Sequence, residues 1–332
     1  MYLYMFSTPA LFVSFFPQLV AGPIERAKSL LPQFEKRREF DLDAATDGLR
    51  QALWGFLKKV VVADNLAAHV DKIYSNWSSY DGLTLVIATF FFAVQIYCDF
   101  SGYSDIAIGT GRLFGINLRR NFAYPYFSRD IGEFWRRWHI SLSTWFRDYV
   151  FIPLGGNRVG EARHIINIIV TFVVSGLWHG ANWTFVIWGF LHGIFYVGSM
   201  FAGTTTHHKS VVAEGHLFAR PKELLQMGFT FLLVLISWVF FRARSLSGAF
   251  GIFGHIASNK FFDPSYWHGQ YTGYILMALA LLVIEWFQRD KQHALQIAHT
   301  DYAWRWAAYA ACTLSILILG NFGAVDFIYF QF

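Results

Sequence analysis

Long apolar runs recur along most of the chain and restrict what it can fold into. They lie at residues 3–20, 83–98, 165–200, 229–241, 274–286 and 304–319. A straight helix needs about 20 apolar residues to cross a bilayer, so the shorter runs must tilt, break or re-enter inside a bundle. We therefore expect an all-α, polytopic integral membrane protein with roughly six to nine helices in the membrane.

The composition also indicates a membrane protein. Hydrophobic side chains make up 55% of the chain and charged ones only 15%, against about 25% charged in soluble domains. Trp and Tyr near the ends of the runs suit the aromatic belt of a bilayer; they are Tyr2, Tyr4, Trp286 and Trp304. The first run is too aromatic for a signal peptide and is interpreted as a retained span. Without repeats or long linkers, residues 1–332 are expected to form one domain.

The formal charge of +5 is interpreted as a signal of how the chain is oriented in the membrane. No soluble basic segment carries it, so we do not expect nucleic acid as a partner. Residues 112–163 contain nine arginines and no lysine, and under the positive-inside tendency this segment faces the cytoplasm. Lys36, Arg37, Arg38, Lys58 and Lys59 favour the same side.

Two connecting segments are less hydrophobic. Residues 49–70 are amphipathic, and two interpretations stay open: a helix lying in the interface, or one crossing within the bundle. Residues 204–222 are the most polar connection, and "HHK" there is interpreted as a solvated loop rather than a metal site. Neither H-E-x-x-H nor a Cys/His quartet occurs in the sequence, so no metal is expected.

The stretch "FWRRWHISLSTWFRDYVFIPLGGNRVG" places a histidine among tryptophans and arginines. If residues 135–145 are helical, one face is shared by Trp135, Trp138, His139, Leu142 and Trp145. His139 then points into the protein, either as a core histidine bonded to a carbonyl or as a functional group. The "PLGGNR" that follows predicts a turn.

A second histidine lies in the longest apolar run, within "GLWHGANW". Gly176, Gly180 and Asn182 surround His179 and predict a backbone break at membrane depth. Broken helices are tolerated in a bilayer where they line a cavity, and an ionisable residue there is a functional candidate. His192, further along in "FLHG", is interpreted as a packing or supporting residue.

The polar island "DFSGYSD" follows the apolar run that ends at Cys98. Its short polar side chains, Asp99, Ser101, Ser104 and Asp105, are suited to cap a following helix and to form ion pairs with arginines. That account is preferred, with the lining of a polar cavity as the alternative.

Several ordered blocks resemble the membrane-bound O-acyltransferase family, and within it the bacterial branch of alginate O-acetyltransferase membrane subunits. They are "FFPQLVAGPIER", "DFSGYSDIAIGTGRLFGINLRRNF", "EFWRRWHISLSTWFRDYVFIPLGGNR", "GLWHGANWTFVIWGFLHG" and the terminal "FIYFQF". Relatives that serve acetylated cellulose and peptidoglycan share these blocks, so the acceptor polymer stays open. The resemblance implies a helical bundle around a tunnel, with the WHG histidine, here His179, at its narrow centre. It places the family's second important histidine on His139.

The resemblance also implies a reaction and partners. An acetyl group passes from acetyl-CoA or another acyl thioester, a co-substrate rather than a bound cofactor, to a hydroxyl outside the cytoplasm. Its partners are a periplasmic serine esterase-like acetyltransferase and polysaccharide export machinery, at the bacterial inner membrane. In this hypothesis His179 is the general base and His139 assists, because an imidazole of pKa about 6.5 accepts a proton at neutral pH. The expected substrate-binding residues are Arg136, Arg137, Arg147, Trp178 and Asn182, and the expected supporting ones are Asp99, Ser101, Asp105 and His192.

Family members carry more N-terminal helices before "FFPQL" than this chain does. The expectation is that the chain lacks those helices and is inactive or poorly folded alone. Two other classes stay open, a transporter or flippase and a non-catalytic membrane scaffold, although no inverted pair of Gly/Pro-interrupted spans favours the transporter.

Overall fold

The computed structural model describes residues 9–204, 211–258, 260–264, 266, 268–323, 327 and 328. Tyr2 and Tyr4, the "HHK" at 207–209 and the last four residues of "FIYFQF" lie outside the described residues. The helices are α1 (Ala27–Glu35), α2 (Leu42–Phe56), α3 (Asp64–Ser75), α4 (Gly82–Leu113), α5 (Ile131–Arg137), α6 (Ile140–Phe146), α7 (Glu161–His179), α8 (Trp183–Phe201), α9 (Pro221–Arg242), α10 (Leu246–Ala257), α11 (Thr272–Phe287) and α12 (Tyr302–Leu319). Segments Leu57–Ala63 and Arg147–Phe151 are π-helical.

Five helices in the described part of the chain are long and apolar enough to cross a membrane. They are α4, α7, α8, α9 and the segment His268–Phe287, which contains α11. The all-α membrane architecture predicted from the sequence is confirmed. The count among described residues is lower than expected because α2, α3 and α12 do not combine sufficient length with sufficient hydropathy.

Helix α4 is the centre of the bundle. It continues past the apolar run to residue 113, and Phe91, Phe92 and Ile96 are fully buried. Buried apolar side chains all round a helix are expected when neighbours enclose it. Close contact with α2 depends on glycine, since a Cβ on Gly109 would lie 2.3 Å from the carbonyl oxygen of Gly48.

The segment Leu57–Ala63 joins α2 and α3 into one helical stretch from residue 42 to residue 75. Trp54, Leu66 and Val70 on this stretch are buried at 2% exposure or less. The burial favours the helix within the bundle over one lying in the interface, and its crossing of the membrane stays a prediction.

Helices α7 and α8 form a hairpin from the run at 165–200. The chain breaks at residues 180–182, as the sequence predicts. Small residues let the two helices approach closely, because a Cβ on Gly176 would lie 2.2 Å from the carbonyl oxygen of Phe185. The turn predicted for "PLGGNR" is also present, with positive φ at Gly155 and Gly156.

Candidate active site

His179 is the last residue of α7, and the break beside it has a local cause. Gly180 leaves the helix in an extended conformation, and Asn182 caps α8 by accepting a hydrogen bond from the Thr184 amide at 3.1 Å. Trp188 and Phe241 meet the imidazole nearly edge-on, each with 5.1 Å between ring centroids. His179 Nδ1 is shielded from solvent. A titratable ring is thus held in an aromatic enclosure.

His139 lies at a break that the sequence did not predict. The expectation of one helix over 135–145 is wrong: α5 ends at Arg137, α6 begins at Ile140, and His139 between them has φ +42° and ψ +53°. This left-handed conformation is uncommon for a residue other than glycine. The expectation that His139 points into the protein is confirmed, since 3% of its surface is exposed.

Asn121 explains why the chain bends at His139. The Asn121 carbonyl accepts from the Ile140 amide at 2.9 Å, and its side-chain oxygen accepts from the Ser141 hydroxyl at 2.6 Å. The Asn121 side chain also donates to Ser104 Oγ on α4 at 3.1 Å. Three long-range hydrogen bonds therefore hold the strained residue in place, and such over-determined strain is common at functional sites.

Aromatic rings connect the two histidines. Trp138, beside His139, packs on Trp238 at 5.2 Å, and Trp238 packs on Phe241, which contacts His179. The imidazoles are within electrostatic range, so a proton on His179 would oppose one on His139. No hydrogen bond to the His139 ring is formed by the residues that the structure describes, and the core histidine bonded to a carbonyl is not observed.

His192 is packed between helices, as one of its two interpretations has it, and a supporting role in the site stays a prediction. The ring is fully buried, the Trp135 indole donates to Nδ1 at 3.2 Å, and Nε2 lies 2.8 Å from Ser237 Oγ. An indole N–H only donates, so Nδ1 is the acceptor and Nε2 carries the proton. His192 is therefore held neutral with both nitrogens engaged, and its ring contacts that of Trp188, which also contacts His179.

The polar island lies inside α4 rather than at a helix start, so the predicted capping role is wrong. The predicted ion pairing is observed, but the partners are lysines and not the expected arginines: Asp99 pairs with Lys59 at 2.8 Å and Asp105 with Lys58 at 2.6 Å. Ser101 Oγ accepts from Lys58 at 2.8 Å. The partners come from the π-helical segment, which no local pattern around residue 99 could indicate.

A small enclosed polar cavity adjoins this cluster, and the sequence reasoning missed one of its residues. Its walls include Lys58, Asp105, Phe122, Tyr124 and Glu285, and the Phe122 ring stacks 6.3 Å from that of His139. Glu285 is buried in α11 and accepts from the Tyr97 hydroxyl at 2.9 Å. The signal was a carboxyl in an apolar run, which marks a functional candidate in a membrane helix.

The three predicted arginines have different surroundings in the structure. Arg137 donates to buried Glu133 at 2.8 Å and to the Ala123 carbonyl. Burial raises the pKa of Glu133, but hydrogen bonds from Arg129 and the charge of Arg137 outweigh burial and leave that pKa below its ordinary value. Arg147 is exposed and pairs with Asp148, whereas Arg136 is exposed and forms no ion pair in the described part of the chain. A phosphate-binding role remains most compatible with Arg136.

Trp178 and Asn182 flank His179. Trp178 is 51% exposed and contacts Phe146 of α6 at 6.3 Å, which is a second link between the two histidine segments. The Asn182 side chain donates to the Arg244 carbonyl at 3.2 Å in addition to capping α8. Asn182 is therefore engaged with the backbone, and substrate contact by either residue stays a prediction.

Comparison with known proteins agrees with this arrangement. The sequence model of the membrane-bound O-acyltransferase family matches residues 1–242. This range includes His139, His179 and four of the five blocks, and only the terminal block lies outside it. The chain belongs to this family.

The relatives of this family member modify polymers. It is 42% identical over 253 residues to "Probable alginate O-acetylase AlgI" of Pseudomonas putida, covering 75% of the chain and 49% of the relative. It is 35% identical over 344 residues to "Peptidoglycan O-acetyltransferase" of Helicobacter pylori, covering 97% and 64%. "Teichoic acid D-alanyltransferase" of Streptococcus thermophilus is 33% identical over 197 residues, covering 55% and 47%. The chain thus spans about half the length of most of these curated relatives.

Proposed function

We propose that this family member is an O-acyltransferase of the bacterial inner membrane. It would take an acetyl group from a cytoplasmic thioester, acetyl-CoA or a similar donor. The acceptor would be a hydroxyl of an extracytoplasmic polysaccharide such as alginate, or of a partner acetyltransferase in the periplasm that works with the export machinery. The observation that carries the proposal is a buried and a half-buried histidine, His139 and His179, each at a helix break and joined by aromatic rings.

The position of the two histidines suits a reaction between opposite faces of the membrane. Phe122, which stacks on His139, lines the polar cavity. Asp105 also lines it and lies near the end of α4, where the arginine-rich segment 112–163 begins. At the break beside His179, the Asn182 side chain donates instead to the Arg244 carbonyl. Arg244 follows the end of α9, whereas Glu223 lies near the start of that helix. Glu223 pairs with Arg129 of the arginine-rich segment. A donor approaching past His139 and an acceptor approaching past His179 would meet between them.

The chemistry needs a base and a stabilised oxyanion. The acceptor oxygen attacks the thioester carbonyl carbon, and its proton passes to His179. The carbon–sulfur bond then breaks, the electron pair leaves on sulfur, and the proton returns to give the free thiol. General base catalysis of this kind contributes about 10²–10⁴ in rate, and His139 would orient the acceptor or bind the oxyanion.

Trp188 is a further candidate for the oxyanion donor. Its side chain is 1% exposed, and its indole N–H has no hydrogen-bond partner among the described residues. Buried donors without a partner are rare. Because the ring lies 5.1 Å from that of His179, this N–H is available to a negatively charged oxygen formed beside the base.

The test is the release of free thiol from acetyl-CoA by the purified chain in proteoliposomes, with oligo-uronate as acceptor. His179→Gln should lower turnover at least a hundredfold. His299→Gln, which changes an exposed histidine, should match the wild type. More than about a tenth of wild-type turnover in His179→Gln would exclude a general base of this strength. Equal thiol release with and without acceptor would argue against acyl transfer to a hydroxyl.

A further inference from the structure

A groove on the outside of the bundle contains basic and aromatic side chains that take no part in the proposed reaction. It lies between α2 and α12 and has a volume of about 410 Å³. Its walls are Thr46, Leu49, Arg50, Leu53, Arg305, Trp306 and Tyr309. The walls therefore combine two cations and a phenol with leucine side chains.

Three hydrogen-bond donors in this groove lack partners in the described part of the chain. They are Nε of Arg50, Nε of Arg305 and the hydroxyl of Tyr309, all shielded from solvent. The Arg50 guanidinium lies over the Tyr309 ring, 5.7 Å from its centroid, which brings the two helices' donors together. Shielded polar atoms normally have a partner, so these three donors indicate an acceptor that binds between α2 and α12.

The acceptor expected here is anionic. Asp47, on the same helix as Arg50, is already engaged by Arg112 at 2.5 Å and by His293 at 3.2 Å. Neither Arg50 nor Arg305 forms an ion pair within the described residues. One terminal nitrogen of Arg305 donates to the Ala298 carbonyl at 3.1 Å. The remaining planar donors of the two guanidinium groups match phosphate oxygens in geometry and charge.

The depth of the groove points to a lipid as the source of that phosphate. Helix α12 begins with Tyr302, Trp304 and Trp306, which are 56–73% exposed and mark the membrane interface. His293, in the preceding connection, bonds Asp47, as does Arg112 near the end of α4. The groove therefore opens where the arginine-rich segment begins, on the side assigned to the cytoplasm. Basic pockets between helices on this side are typical sites for anionic headgroups.

We propose that the groove between α2 and α12 binds an anionic phospholipid. Its phosphate would lie between Arg50 and Arg305 and accept from the Tyr309 hydroxyl, and an acyl chain would extend along Leu49 and Leu53. Trp306, with an apolar body and a polar edge, closes the groove at headgroup level. The site is independent of the proposed acyl transfer.

The experiment uses the whole 332-residue chain, purified in an uncharged detergent and depleted of lipid. Phosphatidylglycerol and phosphatidylcholine with the same acyl chains are titrated in turn, and binding is read by native mass spectrometry and thermal unfolding. Phosphatidylglycerol should bind about tenfold more tightly. The variant R50Q/R305Q should lose this preference. R163Q/K222Q removes the same charge from exposed positions and should retain it.

Other outcomes would overturn the proposal. Equal binding of the two lipids to the wild type, or an unchanged preference in R50Q/R305Q, would place the anion elsewhere. Equal stabilisation by inorganic phosphate or coenzyme A would identify a soluble ligand instead of a lipid. If R50Q/R305Q fails to fold, Tyr309→Phe decides the matter, because it removes one hydroxyl only. It should weaken phosphatidylglycerol binding about threefold and leave phosphatidylcholine unchanged, and unchanged binding of both would refute the site.

Discussion

The Phe100 ring meets the His139 ring edge-on, with 4.5 Å between centroids and 88° between planes. Phe100 also packs on Phe122 at 5.0 Å and on Phe327 near the C-terminus at 5.9 Å. The adjacent residue, Asp99, accepts a hydrogen bond from the Ile328 amide at 2.8 Å. The described part of the terminal "FIYFQF" block thus packs against the helix that orients His139.

Phe100→Leu should lower turnover about ten- to a hundredfold with little change in KM. Without the phenyl ring against it, the His139 imidazole can shift by a fraction of an ångström or more from its reactive position. Phe91→Leu is the matched control, since Phe91 is fully buried on the same helix and contacts Tyr271 and Tyr274 rather than a histidine. Both variants should lose similar stability in thermal unfolding. Equal turnover in the two variants would show that Phe100 does not position His139.

Trp188→Phe removes the indole N–H and keeps an aromatic ring beside His179. Turnover should fall about 10²- to 10³-fold, as for the loss of an oxyanion donor, and KM should change little. Trp77→Phe is the control, because the Trp77 indole packs on His255 and neither residue belongs to the segments that contain His139 and His179. It should leave turnover unchanged. Near-normal turnover in Trp188→Phe would remove the indole from the mechanism.

Charge reversal should separate the two neighbouring arginines. Arg136→Glu should raise the KM for acetyl-CoA more than it lowers turnover, since Arg136 is exposed and a phosphate contact contributes uniform binding. Arg137→Glu places a carboxylate beside buried Glu133, so it should reduce the melting temperature and the yield of folded protein. If both variants leave KM unchanged, the donor phosphates bind elsewhere.

Lys58→Met should destabilise the bundle, by up to about 3 kcal/mol, because it leaves the partly buried Asp105 carboxylate without its cation and with only the hydrogen bond from Gln51. The double variant Lys58→Met, Asp105→Leu should recover most of that loss, since an apolar pair replaces an ion pair at little net cost. Lys291→Met, at an exposed pair with Asp290, should have little effect. Thermal unfolding in detergent measures all three, and equal losses in the single and double variants would contradict the argument.

Two glycines of the α7 and α8 hairpin should respond in opposite ways. Gly176→Ala should prevent close packing, because its Cβ would lie 2.2 Å from the Phe185 carbonyl oxygen and backbone must move. Gly198→Ala on α8 meets no atom within 4 Å and should stabilise the helix by up to about 1 kcal/mol. Thermal unfolding and size exclusion give the comparison. A stable, monodisperse Gly176→Ala protein would mean that the hairpin is more loosely packed than described.

The features that the sequence predicted correctly have local causes. The apolar runs determine a helical membrane protein because only helices satisfy every backbone group within such a run. Gly180 and Asn182 determine the break beside His179, because glycine disfavours a helical conformation and Asn182 caps the helix that follows. The family blocks identified both candidate histidines, and their catalytic roles remain predictions.

Only the tertiary structure decided how the remaining residues are used. The apolar periodicity of residues 135–145 favours one helix, but hydrogen bonds from Asn121, more than a dozen residues earlier, bend the chain at His139. Asp99 and Asp105 resemble capping residues until Lys58 and Lys59 meet them from another helix. Arg136 and Arg137 are equivalent in sequence until buried Glu133 binds one of them. In the first two cases the deciding partner is distant along the chain, and a local pattern contains no information about which distant groups folding brings together. Glu133 lies only one helical turn before Arg137, and there the structure adds that this carboxylate is buried.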